Sequence, residues 1–252
     1  MLVTAATPQV IEAILFDMNS TLRACEPHMP TQTGSRERIL ELVGKKEADQ
    51  AFWEALEQRY QAYNRWGRTN LVQCSESEIW TKWMLPDYPA KQIEPVAVEL
   101  MLAWTRRRGR MLPMPGVEEA LGGLKQRGYH LGVISNSMSS LDIPRFLDAC
   151  GWNEFFGVVV LSAVTKIRKP APEPFLTAAR RLGVEPAHCA YLGNRIMKDI
   201  SGCKRAGYGL AIMIATPGKQ PEENEDKSIE PDLVIQSVGE LLDIFPGKPK
   251  NG

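Results

Sequence analysis

The chain is expected to fold as an α/β protein: a Rossmann-like parallel sheet covered by helices on both faces, with an inserted all-helical cap domain. Three observations lead there. The run Ile11–Asp17 is short, apolar and ended by polar turn residues, as a buried central strand is. From about Arg23 to Met111, helix signals dominate and strand signals are almost absent. After Pro113-Met-Pro115-Gly116, strands alternate with helices, the pattern of a mainly parallel sheet.

Each segment carries its own signal. In the insert, Ser35 can cap a helix over Arg36–Lys45, and Ala48–Trp66 repeats apolar and aromatic residues at helical spacing. Ser77–Met84 is similar, and Pro95–Arg108 completes the insert. Five of the six tryptophans (Trp53, Trp66, Trp80, Trp83 and Trp104) fall there, enough apolar surface for a small separate core. Beyond it the expected order is helix Val117–Arg127, strand Tyr129–Ser135, helix Leu141–Ala149, strand Phe156–Leu161 and helix Glu173–Leu182. Strand Cys189–Leu192, helix Ile200–Ala206, strands Leu210–Ile214 and Leu233–Ile235 and a last helix Val238–Phe245 follow. Gly128, Gly151, Gly183 and Gly207 each close a predicted helix. Pro217–Pro231 reads as a solvated loop. The expected organisation is a discontinuous core of residues 1–22 and 112–252 and a cap of residues 23–111, hinged near Leu22–Cys25 and Leu112–Pro115.

Charge and composition narrow the function classes. Thirty basic residues balance thirty acidic ones, which removes the main electrostatic reason to expect nucleic acid or an anionic membrane as partner. No run approaches the ~20 apolar residues that span a bilayer. The start, MLVTAATPQV, lacks the basic and apolar regions of a secretory signal. A cytoplasmic monomer or homodimer acting on a small anionic metabolite is the expectation. The five cysteines are odd in number and form no CxxC pair, so reduced thiols are expected rather than a disulfide framework or zinc site.

In open parallel sheets, ligands bind beyond the carboxyl ends of the strands. Four such places stand out: Asp17-Met-Asn19-Ser-Thr21, Ser135-Asn136, Lys169-Pro170 and the stretch Gly193–Asp199. Singly, each has a plain structural explanation, such as a turn aspartate, a capping Ser135 or a solvated Lys169. In this order, with a helical insert after the first, the sequence resembles the haloacid dehalogenase superfamily, and the resemblance covers essentially the whole chain.

The resemblance implies that Asp17 is a nucleophile that takes the transferred group as a covalent aspartyl intermediate. Ser135, Asn136 and Lys169 would bind the phosphoryl oxygens, and Lys169 would also hold Asp17 ionised. Magnesium would bind through Asp17, the main-chain oxygen of Asn19 and the Asn194/Asp199 pair.

Two positions depart from the pattern. The family's phosphatases carry a second aspartate where this chain has Asn19, and an amide exchanges no useful proton near pH 7. A positioned acid or base is worth about 10²–10⁴ in rate. Asn194 replaces another carboxylate, which removes a charge from the metal shell. The leading expectation is a slow magnesium-dependent phosphate-ester hydrolase or phosphotransferase. The alternatives are a catalytically weak member that binds a phosphorylated metabolite or a protein, and a metal-independent 2-haloacid dehalogenase. Arg23 and the run Arg106–Arg108 can grip an anion, but a solvated helix end explains the run more simply, so it stays outside the expected site. Tyr60, Tyr63 and Trp66 are expected in the cap's core rather than in the pocket.

Overall fold

The computed structural model describes residues 10–26, 34–215 and 228–247. The chain start up to residue 9 and residues 217–227 of the expected loop lie outside the described residues. The described strands, in chain order, are β1 (Ala13–Phe16), β2 (Arg23–Cys25), β3 (Met111–Pro113), β4 (His130–Ser135), β5 (Phe156–Leu161), β6 (Cys189–Gly193), β7 (Leu210–Ile214) and β8 (Leu233–Ile235). Six of them form one parallel sheet in the order β5-β4-β1-β6-β7-β8.

β1 is central, and Phe16 pairs with Val133 on one side and Leu192 on the other. The chain runs outward from β1 through β4 and β5, then crosses over to add β6, β7 and β8. The strand order therefore reverses at β1, where a crevice opens beyond the strand ends, and Asp17 is the next residue. Because successive strand side chains face opposite ways, Ile14 and Phe16 join one buried cluster and Ala13 and Leu15 the other. The helices Val117–Gln126 and Asp142–Ala149 cover the first face, and Glu173–Leu182 covers the second through Phe175 and Ala178.

The insert packs around its own cluster, which includes Leu56, Tyr63, Trp80, Leu100 and Trp104. Its helix limits differ from expectation for local reasons. Gly34, not Ser35, is the N-cap of Ser35–Val43, and Ser35 makes no capping bond. Asp49 caps Gln50–Asn70 by accepting from the Phe52 N–H at 3.0 Å, and that helix passes Trp66 until Leu71 turns left-handed. The expected Ser77–Met84 helix begins with a capping box between Ser75 and Glu78, then widens into a π-turn over Ile79–Met84. Pro95 lies in a short 3-10 turn, Glu94–Val96, and the helix proper is Ala97–Arg106.

The near-absence of strands between Arg23 and Met111 needs correction at both ends. β2 and β3 form an antiparallel ribbon, with Arg23 opposite Pro113 and Cys25 opposite Met111. Each strand is too short for alternation to be legible in sequence. The ribbon lies in both expected hinges, with β2 starting at one expected domain limit and β3 crossing the other. A second attachment joins the insert to the sheet domain. Val72 bridges Ile167, the Gln73 N–H donates to the Lys166 carbonyl (2.8 Å), and the Arg168 N–H donates to the Leu71 carbonyl (2.9 Å). No helix among the described residues is long and apolar enough to cross a membrane.

Candidate active site

Asp17 leaves β1 with its backbone N–H donating to the Leu192 carbonyl at 2.8 Å. The chain then tightens: the Leu22 and Arg23 N–H groups both donate to the Met18 carbonyl, and Ser20 is left-handed. This turn brings Arg23 back onto Asn19, whose Oδ1 accepts from Arg23 Nε at 3.0 Å. Arg23 is fully buried, ion-paired to Asp142 and stacked over Phe146, while its Nη1 has no partner.

The centre of the site is a buried ionic cluster. Lys169 Nζ lies within hydrogen-bond distance of Asp17 Oδ1 (2.9 Å), Asp199 Oδ1 (2.8 Å), the Ile134 carbonyl (2.7 Å) and the Tyr191 hydroxyl (2.6 Å), which share its three N–H bonds. Its main chain is fixed by Asn136, whose Oδ1 accepts from the Lys169 N–H (2.8 Å) and whose Nδ2 donates to the Lys169 carbonyl (2.9 Å). Lys198 Nζ approaches the other oxygens, Asp17 Oδ2 at 3.3 Å and Asp199 Oδ2 at 3.6 Å. Asp199 Oδ2 also accepts from the Arg195 N–H at 3.1 Å.

Electrostatics follow from this geometry. Burial alone would raise the Asp17 carboxyl, but the Lys169 and Lys198 ammonium groups outweigh it and hold the carboxyl well below the usual carboxylate range. Burial also opposes the Lys198 charge, and Asp17 and Asp199 reverse that, moving its pKa upward. The Tyr191 phenol is pushed well above its ordinary value by burial and then by both carboxylates, so it stays neutral.

Gly193 permits the cluster. A methyl group there would overlap the Asp199 side chain. Gly193→Ala is therefore expected to displace Asp199 and to cost about 1–3 kcal/mol, the scale of an overpacked core. A urea-unfolding midpoint equal to wild type would contradict this.

A cavity of about 380 Å³ lies over the cluster, lined by Asn19, Asn136, Lys169 and Lys198 from the strand ends and by Tyr60, Asn64, Arg68, Thr105 and Arg108 from the insert. Arg23, Arg168 and Arg195 add positive charge to the lining, whereas Asp142 is its one acidic residue. Ser135 Oγ is buried without a hydrogen-bond partner, as are Arg168 Nε and Asn194 Oδ1.

Asp17, Lys169 and Asp199 thus meet in one cluster, with Asn19 at its cavity side and Ser135 at the end of β4. Asn136 lines the cavity, and both ends of its amide are bonded to the Lys169 backbone. Sequence reasoning missed Lys198, Arg168 and Arg68, and set Arg108 aside. The available signal was adjacency: Lys198 precedes Asp199, and Arg168 precedes Lys169. Arg107 is not a solvated helix end, being paired with Glu57 and stacked on Trp104, and Arg108 lines the cavity. Tyr63 and Trp66 belong to the insert's core as expected, while Tyr60 also lines the cavity.

The residues present do not fit a resident magnesium ion. The ammonium of Lys198 fills the gap between Asp17 and Asp199, and each carboxylate is already neutralised by a lysine. The unpartnered Asn194 oxygen suits a hard cation. Among the described residues, no group of three or more His, Cys, Asp or Glu side chains is arranged to hold a metal.

Comparison with known proteins agrees with the architecture. The chain is 35% identical over 132 residues to a glyceraldehyde 3-phosphate phosphatase of Methanopyrus kandleri, a stretch that is 52% of this chain and 56% of that protein. This chain therefore spans little more than half the length of that relative. A HAD phosphatase structure from Thermococcus onnurineus superposes with a TM-score of 0.59 at 22% identity, covering 94% of this chain and 99% of that one. A 2-haloacid dehalogenase structure from Pseudomonas syringae pv. Tomato DC3000 gives 0.68 at 21% identity, covering 93% and 98%. At such identities the two structures establish a shared fold. The family model for haloacid dehalogenase-like hydrolases matches residues 11–207, more than half of the sequence, and the chain belongs to that family.

Proposed function

We propose that the protein hydrolyses, or transfers the phosphoryl group of, a small phosphorylated metabolite through a covalent intermediate on Asp17. The observation that carries this reading is a buried carboxylate, kept ionised by two ammonium groups, beneath a cavity whose charged lining is almost entirely cationic. Similarity to a protein named as a phosphatase supports the same reading.

In the first step an Asp17 oxygen bonds to phosphorus as the ester P–O bond breaks, giving an acyl phosphate and an alkoxide. In the second, water attacks that phosphorus, the carboxylate is regenerated, and the proton lost by water balances the one the alkoxide needs. The unpartnered Ser135 hydroxyl is a donor suited to a phosphoryl oxygen, because a buried hydroxyl without a partner is costly unless a ligand completes it. Lys169 keeps Asp17 anionic, and the arginines hold the substrate's charge.

Asn19 supplies no proton to the leaving group, so esters that leave as stable anions are favoured. Turnover is expected to fall steeply from p-nitrophenyl phosphate to alkyl phosphates. In Asn19→Asp the new carboxylate would face Arg23 Nε and stay ionised, acting as a base for water rather than an acid for the alkoxide. Its gain, about 10²-fold by the scale of acid-base catalysis, should appear with p-nitrophenyl phosphate and be smaller with alkyl esters. Steady-state phosphate release checks both, and no gain with any ester would exclude position 19 from proton transfer.

A second reading is favoured by Asn19: halide leaves without a proton, so 2-haloacid dehalogenation needs no acid there. Phosphate and halide release should be followed over a panel of phosphate esters and 2-haloacids, with acid-quenched protein searched by mass spectrometry for phospho-Asp17. Halide without phosphate would replace the proposal by dehalogenation. Tight binding of a phosphorylated metabolite without turnover would replace it by a binding role.

A further inference from the structure

The two lysines of the cluster are not equivalent. Lys169 Nζ has four oxygen acceptors within 2.9 Å and its side chain is 0% exposed, so its three N–H bonds are spent inside the protein. Lys198 is held only by longer contacts, 3.3 Å to Asp17 Oδ2 and 3.6 Å to Asp199 Oδ2. Its side chain is 29% exposed and lines the cavity. Lys198 is thus the ammonium with donor capacity facing a bound substrate.

Its location matters as much as its freedom. It bridges the carboxylate oxygens that face away from Lys169, which is the gap a cation shared by Asp17 and Asp199 would take. Magnesium needs near-octahedral oxygens at about 2.0–2.1 Å, and an ammonium in the same gap repels it. With two carboxylates and two ammonium groups the cluster is neutral, so a divalent ion meets no excess negative charge. Asn19 and Asn194 add oxygens without adding charge.

We infer that Lys198 takes the place of a divalent cation, screening Asp17 from the incoming phosphoryl group and donating to one of its oxygens, so that phosphoryl transfer proceeds without bound metal. This rests on Asp17 being the phosphoryl acceptor. The Asp17–phosphorus bond forms and the ester bond breaks as above, while Lys198 keeps its protons throughout. Lys198 sits on the short π-turn Ile196–Ile200, whose wide backbone lets neighbouring residues 198 and 199 both reach Asp17's surroundings.

The test separates metal binding from turnover. The full chain is titrated with Mn²⁺ alone and followed by electron paramagnetic resonance, beside Lys198→Met and the near-isosteric Lys198→Gln, each checked for folding by circular dichroism. No saturable binding is expected for wild type at millimolar Mn²⁺, and at least about tenfold tighter binding once the like charge is removed. Phosphate release by wild type should be unchanged within about twofold by EDTA or added magnesium, and should fall on the order of 10²-fold in both variants if one charge-assisted donor is lost. Saturable Mn²⁺ binding to wild type that Asp199→Asn abolishes, or activity lost in EDTA and restored by magnesium, would overturn the inference. If no ester releases phosphate, the reading of Asp17 fails, while the Mn²⁺ titration still decides what occupies the gap.

Discussion

Asp17→Asn should abolish phosphate release, with kcat/KM falling on the order of 10⁴-fold or more, the scale on which removal of a covalent nucleophile registers. The substitution keeps the shape of the side chain and its place after β1 while taking away the attacking anion. It also takes from Lys198 the nearer of its two partners. Fold should survive, because Lys169 retains Asp199, Tyr191 and the Ile134 carbonyl. The measurement is phosphate release over the ester panel with thermal unfolding as control. Activity within about tenfold of wild type, with the fold intact, would mean that Asp17 is not the attacking group.

Lys169→Met is expected to have the largest effect on stability. The methionine fills a similar volume but leaves Asp17 and Asp199 facing each other across a buried site with only Lys198 between them. Breaking a buried ion cluster by removing one partner costs about 3–5 kcal/mol. For a chain of this length that is on the order of 10 °C in the unfolding midpoint. Adding Asp199→Asn to Lys169→Met should recover part of the loss, since one uncompensated charge goes with it, and such non-additivity identifies residues that act as a unit. A midpoint within about 2 °C of wild type for Lys169→Met would show that the cluster contributes little.

Much of the fold was legible because its signals are local and long enough to read. β5, β7 and β8 run over the expected residues, since each is a compact apolar run bounded by turn residues. The helix Glu173–Leu182 likewise ends at Gly183, which has a φ of 69° that suits glycine at a helix end. The ribbon of β2 and β3 was not legible, because two three-residue strands brought together across the whole insert leave no periodicity. The π-turn at Ile196–Ile200 was hidden too, and with it the position of Lys198. At the site, Asp17, Lys169 and Asp199 followed from the family resemblance carried by the four motifs in order. Asn136 was named as a residue of the site, but that both ends of its amide serve Lys169 is a matter of three-dimensional geometry. Of the arginines contributed by the insert, Arg68 was missed and Arg108 was set aside with its run, because no sequence pattern says which way a cap helix faces.

The attachment at Val72 and Ile167 has a mechanical consequence. A lid held at one edge can swing widely, but one pinned at two separated points can turn only about the line that joins them. The β2–β3 ribbon is one such pin, and the backbone bonds of Leu71 and Gln73 to Arg168 and Lys166 are the other. The second pin ends one residue before Lys169 and is reinforced from the lid by Gln73, whose Oε1 accepts from Arg168 Nη1 at 2.9 Å. A tilt of the insert about that axis leaves the pinned peptides in place, so Lys169 is expected to keep its seat beside Asp17 while the cavity opens.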